Sequence, residues 1–141
     1  MEDIYTMSIA IVSGYFDPLH AGHLELIDNA NKYGAVYVIV NSNSQALLKK
    51  GEYFMDELER FKIICSLYMI KEATISIDTD KTVCRTIEQI RILNPEEEIV
   101  FVNGDEYNKK NCAEAKTCKR LGIKCKYEGK KIQSSSWLTK K

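Results

Sequence analysis

Several features that mark special classes of protein are missing from this sequence. Its 141 residues include 20 Lys and Arg and 20 Asp and Glu, so the formal net charge is zero. That balance disfavours proteins that bind nucleic acid or anionic membranes through a basic surface. No apolar run approaches the ~20 residues of a membrane-spanning helix, and the first residues lack the basic start of a signal peptide. We therefore expect a cytoplasmic protein with neither nucleic acid nor membrane as a partner.

Paired cysteines are missing as well. The five cysteines are odd in number, and none belongs to a Cys-x-x-Cys motif. This spacing disfavours both a structural zinc site and a secreted disulfide framework. We expect free thiols in a reducing compartment and no metal site made by the protein.

What the sequence does contain is a regular alternation of strand-like and helix-like segments, without a linker or a repeat. The predicted strands are 7–12, 35–40, 73–77, 98–102 and 123–127, and the predicted helices are 21–33, 55–70, 82–93 and 111–121. The segment 41–52 is predicted to be a polar loop. In helix 55–70 the spacing predicts a buried face made of Leu58, Phe61, Ile64, Cys65 and Tyr68.

This order of elements favours a mostly parallel sheet with helices on both faces. The hydrophobic content of 45% in 141 residues suits one ordinary domain spanning 1–141. The predicted fold class is therefore α/β, a single-domain Rossmann-like doubly wound parallel sheet of about five strands.

The two histidines of the chain, His20 and His23, stand three positions apart between the first strand and the first helix. A glycine-containing loop that leads into a helix start presents backbone N–H groups to an anion. Two imidazoles at the same place add two further N–H donors. The segment 13–23 therefore predicts a phosphate site built for chemistry on the phosphate.

Other polar segments fall where the fold predicts a ligand. In doubly wound sheets, ligands bind at the carboxyl ends of the strands. Segments 13–23, 41–52, 103–106 and the tail after residue 127 all follow predicted strands. We expect these distant segments to meet on one rim of the sheet.

The sequence Gly14-Tyr15-Phe16-Asp17-Pro18-Leu19-His20-Ala21-Gly22-His23 resembles the signature of the nucleotidyltransferase superfamily. That signature combines a Gly-x-Phe-Asp loop with a His-x-Gly-His pair, and its small members include glycerol-3-phosphate cytidylyltransferase and heptose-1-phosphate adenylyltransferase. Further positions resemble the family's loop lysine, Glu-Arg element, Gly-Asp turn and serine-rich tail motif. These are Lys50, Glu59-Arg60, Gly104-Asp105 and Ser134-Ser135-Ser136.

The resemblance implies transfer of CMP or AMP from CTP or ATP to a small phosphorylated acceptor, a polyol or sugar phosphate, with release of pyrophosphate. It implies catalytic roles for His20, His23 and Lys50, and Mg²⁺ carried with the triphosphate. Asp17 is expected to anchor the loop. The implied nucleotide-binding residues are Gly14, Tyr15, Phe16, Gly22, Arg60, Gly104, Asp105, Ser134, Ser135 and Ser136.

The sequence leaves several alternatives open. CTP and ATP are equally compatible with it, and a regulatory module that binds nucleotide without turnover is the alternative function. Arg60 could instead pair with Asp56 or Glu57 on its own helix, and Lys50 with its neighbour Lys49 could form a solvated face. Tyr15 departs from the small residue usual at its position. The family commonly forms dimers, so a homodimer is one expected state.

Overall fold

A computed structural model describes residues 8–104 and 106–128. This part of the chain alternates strands and helices. The elements are β1 Ser8–Gly14, α1 Ala21–Ala30, β2 Ala35–Val40, α2 Asn43–Lys50, α3 Glu57–Cys65, β3 Ile70–Ile75, α4 Cys84–Leu93, β4 Glu98–Asn103, α5 Ala115–Arg120 and β5 Lys124–Tyr127. Across the same residues, no helix combines the length and hydropathy needed to cross a bilayer.

The strands form one five-stranded sheet in the order β3-β2-β1-β4-β5. Every neighbouring pair is parallel. The chain runs outward from β1 to β3 and then crosses back to β4 on the other side of β1. The carboxyl ends of β1 and β4 therefore form the switch point, where ligands bind in such sheets. The predicted fold class is confirmed.

Alternate residues of β1 carry the two layers of the core. Ile9 and Ile11 pack on one face with residues of α4 and the α5 region. Ala10 and Val12 pack on the opposite face with Ile27 of α1. Because successive strand residues point to opposite faces, α1 and α3 cover one face of the sheet, and α4 and α5 cover the other.

The prediction of a loop at 41–52 is wrong, because this segment contains helix α2. Ser42 Oγ accepts from the main-chain N–H of Gln45, and Gln45 Oε1 accepts from that of Ser42. This reciprocal pair is a capping box, which stabilises a helix start. Gly51 ends the helix in the left-handed region at φ 79°. The capping pair and the following glycine were the local signals for a helix.

The predicted helix 55–70 is too long. It begins after its cap Asp56 and ends at Cys65, and Ile70 already belongs to β3. Three members of the predicted buried face are exposed: Leu58 at 66%, Tyr68 at 94%, and Cys65. Ile64 is buried as predicted, but the other fully enclosed side chain of this helix is that of Arg60. The prediction failed because the helical spacing was continued past Cys65, where the helix ends, and because it did not allow for a buried arginine.

Smaller differences affect other boundaries. Helix α1 ends at Ala30 rather than at residue 33, and α5 begins at Ala115 rather than at residue 111. Strand β3 begins at Ile70, three residues before its predicted start. Helix and strand ends are the positions at which a single sequence is least informative.

Candidate active site

A pocket of about 550 Å³ opens at the carboxyl ends of the strands. Its floor includes Gly14 at the end of β1, Asn41 after β2 and Asn103 at the end of β4. One wall is the start of α1, and the other contains residues that precede α4 and α5. The predicted meeting of distant segments on one rim is therefore observed for those that lie in the described residues.

His20 and His23 cap the start of α1 together. His20 Nδ1 accepts from the main-chain N–H of Gly22 at 3.1 Å, and His23 Nδ1 accepts from that of His20 at 3.2 Å. The two rings are stacked, with centroids 3.8 Å apart. An Nδ1 atom that accepts a hydrogen bond leaves the proton of a neutral imidazole on Nε2. The main chain thus selects the tautomer in which Nε2 is the donor.

Phe16 fixes the position of this histidine pair. Phe16 is 1% exposed, and its ring packs in a T-shaped arrangement with the His23 ring at a centroid distance of 4.8 Å. Phe16 itself adopts a positive φ of 53°. A Cβ atom at Gly14 would lie 3.0 Å from the same phenyl ring. The Gly-x-Phe part of the motif therefore provides a close packing contact behind the histidines.

Asp17 anchors the loop, as predicted. The carboxylate is buried and accepts from the main-chain N–H groups of Phe54 at 2.7 Å and Met55 at 2.6 Å. These two residues lie in the turn that precedes α3. Asp17 thus joins the histidine loop to that turn, and it does not line the pocket.

Arg60 is fully buried and also joins the histidine loop to the turn that precedes α3. Its guanidinium donates to the main-chain oxygens of Tyr15, Asn41 and Met55 and to Asn43 Oδ1, at 2.7 to 2.9 Å. Burial lowers the pKa of Arg60 from its ordinary value. Arg60 does not line the pocket. The geometry favours a structural role over the predicted contact with the nucleotide, and it differs from the helix-pairing alternative as well.

Tyr15, in the loop after β1, lies beside the lysines of α2. The ammonium groups of Lys49 and Lys50 lie 4.9 Å and 5.8 Å from the centroid of its ring. Cations at this distance are attracted to the face of an aromatic ring. Burial raises the pKa of the Tyr15 phenol, so it stays protonated at neutral pH. All three residues line the pocket.

Three residues on the opposite wall were missed by the sequence analysis. Lys81, Asn111 and Glu114 line the pocket. Glu114 Oε2 accepts from the main-chain N–H of Val83 at 3.0 Å, and so joins the start of α5 to the loop that carries Lys81. Lys81 follows β3, and the rule that ligands bind at carboxyl ends was the signal that pointed to it.

The pocket brings together most of the predicted site residues that the structure describes. Those on its wall are Gly14, Tyr15, Phe16, His20, Gly22, His23, Lys50 and Gly104. Asp105, Ser134, Ser135 and Ser136 lie outside the described residues. All five cysteines are free thiols.

The sequence profile of the cytidylyltransferase-like family matches residues 11–136. The chain belongs to this family. The match covers the histidine motif and all five strands, except for residues 8–10 at the start of β1. It confirms the predicted superfamily and the prediction of an enzyme of the nucleotidyltransferase type.

Two relatives are similar over much of the chain. The FAD synthase of Methanothrix thermoacetophila is 28% identical over 115 residues, which cover 82% of this chain and 76% of that protein. The bifunctional protein HldE of Geobacter metallireducens is 35% identical over 102 residues. That match covers 70% of this chain but 19% of HldE, which is a much longer protein.

A solved structure shares the fold. The lipopolysaccharide core biosynthesis protein from Thermoplasma volcanium superposes with a TM-score of 0.67 and 22% identity. The superposition covers 90% of this chain and 99% of the other. At this level of identity the likeness concerns the fold alone.

Proposed function

We propose that this protein transfers AMP or CMP from ATP or CTP to the phosphate of a small acceptor. An acceptor oxygen forms a bond to the α-phosphorus while the bond to the bridging oxygen of the leaving pyrophosphate breaks. The acceptor phosphate is ionised at neutral pH, so no base has to remove a proton. Catalysis then depends on placing the two substrates and on stabilising charge at the α-phosphate.

The observation that carries this proposal is the reciprocal capping of α1 by His20 and His23. It holds two Nε2–H donors beside a helix start, where main-chain N–H groups and the helix dipole favour an anion. Both histidines line the pocket. In the proposed reaction these donors stabilise the negative charge that develops on the α-phosphate and the leaving group.

Lys50 and the divalent cation complete the charge balance in this proposal. Lys50 neutralises phosphate charge from the end of α2, where it lines the pocket. Mg²⁺ enters as part of the triphosphate substrate, whose oxygens are the hard ligands that it prefers. Asp105 and the serines 134–136 keep their predicted nucleotide-binding roles.

The relatives favour ATP as donor and a flavin as the first acceptor to test. FAD consists of flavin mononucleotide joined to AMP, and a FAD synthase matches most of this chain. The pocket wall contains Tyr15 and Tyr107, whose rings could pack against a planar group. A heptose or polyol phosphate remains the other acceptor class, because HldE is also a relative.

Pyrophosphate release by the purified protein with Mg²⁺ tests the function. ATP and CTP are each combined with flavin mononucleotide, heptose-1-phosphate and glycerol-3-phosphate. We expect release with one donor and one acceptor, and none from the His23→Asn variant. Triphosphate binding by calorimetry without release across the panel would support the regulatory alternative instead. Sedimentation of the same sample tests the predicted homodimer.

A further inference from the structure

We propose that Lys81 binds the phosphate of the acceptor, on the wall opposite the two histidines. This inference rests on the proposed nucleotidyl transfer and names the part of the pocket that takes the second substrate. The ligand chemistry is that of a phosphomonoester dianion. Lys81 is an exposed side chain of the loop between β3 and α4, and it lines the pocket.

The first argument is the placement of the two walls. His20 and His23 begin α1, which packs on the same face of the sheet as Ala10 and Val12. Lys81 comes just before α4, which packs on the opposite face with Ile9 and Ile11. A ligand on the pocket floor therefore has the histidines on one side and Lys81 on the other.

The second argument is the geometry of phosphoryl chemistry. The attacking oxygen and the leaving oxygen lie roughly in line on opposite sides of the phosphorus. If the histidine wall holds the triphosphate and its leaving group, the attacking phosphate has to approach from the facing wall. A lysine ammonium in that place reduces the repulsion between the acceptor phosphate and the triphosphate.

The third argument is that the loop of Lys81 is held in place. The Gln45 side chain is 1% exposed, and its Nε2 donates to the main-chain oxygens of Asp80 and Thr82, both at 2.8 Å. Its Oε1 accepts from Asn41 Nδ2 and the Ser42 main-chain N–H, both at 3.0 Å. One amide thus clamps the residues on either side of Lys81.

The loop is also held from the other direction. Glu114 Oε2 accepts from the main-chain N–H of Val83. Two contacts far apart in sequence therefore fix the backbone around an exposed lysine. A purely solvated lysine needs no such support, whereas a binding residue gains affinity when its backbone is preorganised.

Lysine acylation followed by mass spectrometry tests the proposal on the full chain without requiring turnover. The probes are Mg²⁺ with α,β-methylene-ATP, inorganic phosphate, and both together. With the analogue present, phosphate near twice its dissociation constant is expected to slow acylation of Lys81 about threefold. Lys71 is the matched control, because it is exposed on β3 and does not line the pocket.

Two outcomes would overturn the proposal. One is acylation of Lys81 that phosphate does not slow, with or without the analogue. The other is protection of Lys81 by the analogue alone to the full extent, which would assign the lysine to the triphosphate. A failure of the proposed function appears elsewhere, as absence of pyrophosphate release in the activity assay. Absence of analogue protection at Lys50 would show that the triphosphate does not bind beside that lysine.

Steady-state kinetics with the active donor and acceptor provide a second readout. We expect Lys81→Gln to raise the acceptor KM about tenfold, the equivalent of one lost charge-assisted contact, and to leave the triphosphate KM unchanged. Lys71→Gln should alter neither. Gln45→Glu keeps an acceptor but removes both donors of the clamp, so it should raise the acceptor KM in the same selective way. An equal rise in both KM values would argue against a positioning role for Gln45.

Discussion

The guanidinium of Arg60 donates to the main-chain oxygen of Tyr15 at 2.8 Å and to that of Asn41 at 2.7 Å. One buried side chain of α3 thereby holds together the loop after β1 and the end of β2. Asp17 reaches back from that loop to the turn before α3. The two contacts run in opposite directions between the same segments, so the histidine loop is tied to the α3 region at both Tyr15 and Asp17.

Arg60→Lys should lower the free energy of unfolding by about 3 kcal/mol, because one ammonium cannot replace the planar fork and leaves buried carbonyls without a donor. Urea denaturation measures the change. Arg85→Lys is the control, since Arg85 is exposed on α4 and should change stability by less than about 0.5 kcal/mol. Equal losses in the two variants would show that the buried contacts do not stabilise the fold.

His20→Asn separates capping from catalysis. Asparagine is a good N-cap residue, so the start of α1 and the thermal stability should be retained. The imidazole donor is lost, and turnover should fall by ~10²–10⁴-fold, as expected when a donor to the transition state is removed. His20→Ala should lose both properties. Wild-type turnover in the Asn variant would contradict the proposed role of the ring.

Gly34→Ala should destabilise the protein strongly. A Cβ atom at Gly34, where φ is 153°, would lie 2.3 Å from the main-chain oxygen of Ser8. We expect a loss of about 3 kcal/mol or more in urea unfolding, since backbone must move. Gly51→Ala is the matched control, because its φ of 79° is also positive but nothing lies within 4 Å. The control should lose only about 1 kcal/mol, from the backbone conformation alone.

Stability should fall at alkaline pH. Burial raises the pKa of Tyr15 and Tyr107, and a hydrogen bond with Cys125 together with burial raises that of Cys112. The folded chain therefore keeps protons that the unfolded chain releases above about pH 9. Since the unfolded state then binds fewer protons, the free energy of unfolding decreases as the pH rises from 9 to 11.

Urea titrations at several pH values measure this slope. Tyr15→Phe removes one of the groups that titrate and should make the decline less steep. The thermal stability of Tyr15→Phe at pH 7 serves as its reference. If the free energy of unfolding falls with pH at the same rate in the unchanged protein and in Tyr15→Phe, then Tyr15 has the same pKa in the folded and unfolded states.

The interior strands were predictable because their signals are local. Runs such as 35–40 are apolar throughout, which is typical of a strand covered on both faces. The histidine motif was also predictable, since its residues all lie within one short segment after β1. The capping of α1 by the histidines and the packing of His23 on Phe16 came only from the structure. Helix α2 was also predictable from local signals, although the segment was predicted to be a loop, because Ser42 and Gln45 form a capping box that is visible in the sequence.

The burial of Arg60 could not be predicted from its own helix. Charged neighbours such as Glu57 and Glu59 make its position look solvated. Its partners belong to residues 15, 41 and 43, which are distant in sequence and are brought to it by the tertiary fold. A hydrophobic pattern marks what is buried, and it does not mark a polar group that is buried because carbonyls surround it.

The sequence by itself determined the alternation of strands and helices and the position of the histidine pair at the start of α1, because both depend on residues near one another in the chain. Only the tertiary structure decided which lysines face that pair. Lys81 lines the pocket from the loop between β3 and α4, and Gln45 and Glu114 hold that loop in place. Such contacts join segments more than thirty residues apart, and no local pattern records them.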